Sequence, residues 1–156
     1  MNAALWADIM ADVASAEKHF EGAAALVDSG ELGGIGLARY RGEMAVMHAM
    51  QAGHTSIEAA LQRLLAILDE PVPAGGDWHA DLIRRASIVV PGERPAILSG
   101  ALADALDETR RFRHVAIHTY DAFQSERALP AIDASRVVVR LLRAELEAFR
   151  SRLDAG

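Results

Sequence analysis

The fold of this 156-residue chain turns on residues 37–68, LARYRGEMAVMHAMQAGHTSIEAALQRLLAIL. Its apolar side chains recur at Met44, Met47, Met50, Ile57, Leu61, Leu64, Leu65 and Leu68. Steps of three, four and seven residues put them on one face of a helix, whereas a half-buried strand would alternate. The span is long for one helix, and Gly53 marks the place for a bend.

The same period continues outward. Over residues 2–28, Leu5, Ile9, Val13, Ala16, Phe20, Ala24 and Val27 make a second amphipathic stripe. DSGELGGIG (28–36) supplies the glycines that stop that helix and build a turn. DEPVPAGGD (69–77) has two prolines and two glycines, which exclude helix and central strand alike. Asp77 then stands as the N-cap of a short helix over WHADLIRRAS (78–87). A further break at VVPGERPAI (89–97) leads to Ser99, which caps a helix expected to reach about Phe123. The last helix is expected from Ile132 to Leu153, with Pro130 near its start. SIVVPGERPAI (87–97) is the one β-branched patch, and its prolines reduce it to a loop or an isolated edge. Four long helices and one short one predict an all-α, up-and-down helical bundle.

Composition agrees: 51% of residues are hydrophobic and few are aromatic, which favours alanine- and leucine-rich helices. The length suits a single domain over 1–156 with its own core. There is no cysteine, so neither a disulfide framework nor a thiolate metal site holds the fold. No apolar run is long enough for a membrane span, and Asp8 and Asp12 come too early for a signal peptide, so a cytoplasmic location is expected. A net charge of -6 argues against a chain coated with nucleic acid but leaves room for a local basic site.

Residues 110–120, RRFRHVAIHTY, are where the binary pattern breaks. Arg110, His114 and His118 follow at four-residue steps, and Arg113 and Tyr120 lie seven apart. A histidine exchanges protons near neutral pH, and an arginine grips a phosphate and stabilises charge developing on it. Together they suit cleavage of a phosphodiester in RNA, with no metal needed. Simpler readings stand beside this one. Asp107 and Glu108 can pair with Arg110 and Arg111 as an exposed helix face. Tyr120 can place its ring on the core and its hydroxyl in water. His114 and His118 have the spacing of helical zinc ligands, but no glutamate lies between them and no third ligand is near in sequence, so no metal is assigned.

Arg113, His118 and Tyr120 spell R-x4-H-x-Y, which resembles the signature of the HEPN superfamily and above all of its HepT-like ribonuclease toxins. GHTSIEAALQRLLAIL (53–68), GGDWHADLIRRAS (75–87) and VPGERPAILSGALADALDETRRFRH (90–114) resemble successive blocks of the same proteins, so the likeness spans about residues 37–153. The resemblance implies an endoribonuclease that needs neither metal nor cofactor, with transfer RNA among its substrates. Arg113 would hold the scissile phosphate and His118 would transfer the proton. His114 stands where the family often has a polar residue, commonly asparagine; it, Arg110 and Arg111 are candidates for substrate contact. Tyr120 matches the tyrosine that a minimal nucleotidyltransferase antitoxin adenylylates from ATP, a change that would set negative charge against the arginine and block RNA. Arg113 and His118 lie about 140° apart on an ideal helical wheel. The homodimers general in the family would bring two motifs to one groove, with Arg84, Arg85 and Arg94 as further phosphate contacts. A function of another class fits the same resemblance: a non-catalytic helical partner of a nucleotidyltransferase, or a nucleotide-binding protein, which the acidic net charge favours.

Overall fold

The structure, a computed structural model, describes residues 2–118 and 125–155, and side chains throughout these except at 31, 115–118 and 125–127. The chain forms α1 (Ala3–Asp28), a 3-10 turn (Glu31–Gly33), α2 (Gly36–Ile67), α3 (Trp78–Ser87), α4 (Gly100–His118) and α5 (Ser125–Ala155). No strand is present among the described residues, only a single bridge between Val90 and Arg94 in the proline-broken patch. The long helices pack as a closed ring, α1 on α2, α2 on α4, α4 on α5 and α5 on α1, with α3 laid against α2 and α4. This is the all-α bundle that the periodicity predicts.

The stripe on α1 differs from expectation in its first turn. Trp6 is buried and Leu5 is exposed, because the inward row runs Trp6, Ile9, Val13, Ala16, Phe20 and Ala23. Alternating three- and four-residue steps keep this seam facing its neighbours as in a coiled coil, and Leu5 falls off it. Arg150 of α5 lies over the Trp6 ring, 5.1 Å from its centroid, and fastens that end of the bundle.

Helix α2 runs unbroken through Gly53, and the glycine has a packing purpose there. A Cβ built there would come within 2.5 Å of the Phe20 ring. The missing side chain lets α1 and α2 close on each other, with Phe20 itself fully buried. Replacing Gly53 by alanine improves helix propensity by about 1 kcal/mol but forces a buried ring aside, typically at about 1–3 kcal/mol. We expect a net loss of stability, read as a lower denaturant midpoint, despite the better helix former.

Helix α2 ends as the loop chemistry requires: Asp69 takes a left-handed φ of 56° and the Glu70 amide donates to Leu65 O at 2.9 Å. The start of α4 is pinned more firmly. Ser99 Oγ accepts from the Leu102 amide at 3.2 Å, and Glu145 of α5 accepts from both the Ser99 amide (2.7 Å) and its hydroxyl (2.6 Å). A cap held by a second helix fixes the register of α4, the helix that carries the polar cluster. Helix α5 begins earlier than expected, at Ser125, so Pro130 lies inside it. Past the first turn, a proline gives up the hydrogen bond its amide would make four residues back and crowds that carbonyl.

Candidate functional site

Three elements converge on one carboxylate. Glu58 lies on α2 in line with Ile57, Leu61 and Leu65, on the buried face, and only 5% of its side chain is exposed. From α4, Arg113 Nη1 donates to Glu58 Oε2 at 3.2 Å. From α3, His79 Nδ1 makes a short contact with Glu58 Oε1 and stands 3.1 Å from Arg113 Nη1. From one turn back on α2, His54 Nε2 lies 3.1 Å from Glu58 Oε1 without making a hydrogen bond to it. His54 is itself buried and its Nδ1 meets Thr109 Oγ1 of α4 at 2.9 Å. The Thr109 hydroxyl donates to Leu106 O at 3.0 Å, so His54 Nδ1 is the donor in that pair.

Burial alone pushes the Glu58 carboxyl up, since a charge in a dry site is costly. The neighbouring His54, His79 and Arg113 pull it down and prevail, so Glu58 is held below the usual carboxylate range and is ionised at neutral pH. An ionised carboxylate only accepts. The proton between it and the ring therefore sits on His79 Nδ1, and the nearby Arg113 Nη1 directs its own hydrogens elsewhere. The ring is steadied from its other side by Trp78, whose centroid lies 3.7 Å away and which packs on the core.

Arg113 is thus anchored at one end. Nη1 is committed to Glu58, while Nε and Nη2 have no partner among the described residues and the side chain is 23% exposed. That remaining edge has the side-on fork geometry with which an arginine can take two oxygens of a phosphate. A guanidinium whose position is set from behind by a buried carboxylate needs little reorganisation to stabilise charge in front.

The other residues singled out in the sequence divide. Arg110 pairs with Asp107 at 2.7 Å, and Arg111, 65% exposed, pairs with Asp107 at 2.6 Å, so both belong to the salt-bridged surface. His114 is on the exposed side of α4. His118 is the last described residue of α4; its side chain lies outside the described residues, and so do all of Tyr120 and the stretch to Phe123 over which the helix is expected to continue. Arg94 is not a phosphate contact. Its side chain is 2% exposed and spends its donors on both Glu70 oxygens and on the carbonyls of Arg85, Ile88 and Pro95, a staple across the loops on either side of α3. Arg85 Nη1 is held by Pro71 O, and Arg84 reaches Asp81 at 3.2 Å.

Glu58, His54 and His79 were not singled out in the sequence. The available signal was a histidine and a glutamate at i, i+4 inside the apolar stripe of α2, where polar residues need buried partners. No cluster of metal-ligand residues occurs among the described residues; Arg113 already neutralises Glu58 where a cation would have to bind. No helix among them is long and apolar enough to cross a membrane.

Residues 45–153 match a family model described as HepT-like protein, a segment that contains Glu58, His79, Arg113, His118 and Tyr120. No curated protein and no solved structure matches the chain.

Proposed function

The chain belongs to the HepT-like family of HEPN-related proteins, and from that premise we propose that it is the toxin of a two-component system, a metal-independent endoribonuclease. Arg113 binds the scissile phosphate through its Nε and Nη2 edge, and His118 transfers the proton. A homodimer brings two such motifs into one groove. The partner is a minimal nucleotidyltransferase that adenylylates Tyr120 and so covers the arginine with phosphate. One observation carries the reading: within the matched segment, Arg113, His118 and Tyr120 keep the R-x4-H-x-Y order, and Arg113 is pre-positioned with a fork to spare.

The ion pair of Arg113 with Glu58 also favours a second reading, in which the arginine only bridges α2 and α4 of a non-catalytic partner protein. The test is to incubate the purified chain with total RNA in excess chelator, before and after treatment with the co-encoded nucleotidyltransferase and ATP. Cleavage that persists in chelator, and disappears as an adenylyl group is found on Tyr120 by mass spectrometry, is the expected result. Tyr120→Phe should then cut RNA and resist silencing. Absence of cleavage together with absence of modification favours the bridging role.

A further inference from the structure

Cleavage of RNA at a phosphodiester needs two proton transfers, one from the attacking 2′-hydroxyl and one to the departing 5′-oxygen. The motif supplies His118 for one. The geometry places a second histidine beside the arginine that would hold the phosphate, and it is not in the motif: His79 Nδ1 is 3.1 Å from Arg113 Nη1, while among the described residues no group takes its Nε2. We propose that His79, oriented by Glu58, is the general acid of the ribonuclease reaction and donates from Nε2 to the leaving 5′-oxygen. This rests on the ribonuclease reading of the same site.

The local architecture suits that role. Glu58 accepts from Nδ1–H and favours the imidazolium form of the ring, whose Nε2–H is then the proton to be given, as in carboxylate–imidazole pairs generally. Trp78 restricts the ring plane. The ring is 27% exposed, enough to meet a substrate on the Arg113 side. A histidine serving only to pair with a buried carboxylate would gain nothing from standing against an arginine whose fork has no partner among the described residues. In the reaction, the 2′-oxygen forms a bond to phosphorus as its proton passes to His118. The P–O5′ bond breaks as the 5′-oxygen takes the proton from His79. The products are a 2′,3′-cyclic phosphate and a 5′-hydroxyl, and the two histidines return to their starting states by exchange with water. Arg113 stabilises the phosphorane throughout.

The test compares two versions of an oligoribonucleotide containing a site that the wild-type protein cuts: the natural one, and one with sulfur replacing the bridging 5′-oxygen at that site. A thiolate leaves without a proton, its conjugate thiol being far more acidic than an alcohol. The variant is His79→Asn, whose amide N–H occupies the place of Nδ1–H and can still donate to Glu58. On the natural substrate it should lose about 10²–10⁴-fold in kcat and the alkaline limb of the pH profile. On the sulfur substrate it should cut within about threefold of wild type, whereas His118→Ala stays slow on both. Equal losses on the two substrates would overturn the assignment in favour of a structural role, and so would a wild-type rate on the natural one. If the wild-type protein cuts no RNA at all, the ribonuclease reading falls first and this assignment with it.

Discussion

Arg113→Ala is expected to lower RNA cleavage by about 10²–10³-fold, the usual cost of deleting one preorganised donor from a developing oxyanion, and to destabilise the fold as well. The two losses have one origin. The guanidinium spends Nη1 on buried Glu58 and, in the proposed reaction, uses Nε and Nη2 for the phosphate, so alanine would remove the substrate's fork and the carboxylate's partner together. Arg113→Lys separates them. An ammonium can still neutralise Glu58, but it is a point charge without a second, rigid edge. The lysine variant should therefore keep most of its unfolding free energy while its cleavage rate stays within about tenfold of the alanine variant. His118→Ala should be as slow as Arg113→Ala, about 10²–10⁴-fold below wild type, yet leave all three of Glu58's partners in place. Cleavage rates set beside urea denaturation midpoints for the three variants provide the check. If the lysine variant cut RNA as fast as wild type, the bidentate grip would be wrong.

What the sequence disclosed, and what it hid, follows from the range of the interactions involved. Helices α1, α2 and α5 were visible because a stripe of apolar residues at steps of three and four is a local pattern, and so were the breaks at DSGELGGIG and DEPVPAGGD. The purpose of Gly53 was not visible, since a glycine in a helix reads as a weak point and only the packed structure shows Phe20 against it. The same holds for Arg94, which resembles any other loop arginine until Glu70 and three carbonyls are found around it. The candidate site was half legible. Its arginine, histidine and tyrosine lie within eight consecutive residues at a fixed spacing, whereas Glu58 and His79 reach Arg113 across 55 and 34 positions. Partners that far apart leave no periodic trace; the one hint is the cost of a buried charge, which demands that some partner exist.

That cost makes Glu58 the site of the largest expected stability loss. With 5% of its side chain exposed, it serves as acceptor for donors from α3 and α4 and lies against His54 Nε2 in its own helix. Glu58→Ala leaves Arg113 and His79 without their acceptor in a half-dry site, and removal of one member of a buried pair typically costs about 3–5 kcal/mol. For a domain of this size that is about 6–20 °C in Tm. Glu58→Gln keeps an oxygen acceptor and the volume, so its loss should be smaller, about 1–3 kcal/mol. The pH dependence follows from the sign of the carboxyl's shift. Its folded-state pKa lies below the ordinary 4.5, so the folded state favours the ionised form. The resulting stabilisation is complete above the unfolded value and is lost as pH falls from there through the folded value. Denaturation midpoints of wild type and Glu58→Gln should therefore converge as the pH is lowered from about 5 towards 3, because a protonated Glu58 is little more than an amide in shape and charge. A gap that stayed constant over that interval would mean that His54, His79 and Arg113 do not hold the carboxylate in its charged form, and the anchoring of Arg113 would have to come from elsewhere.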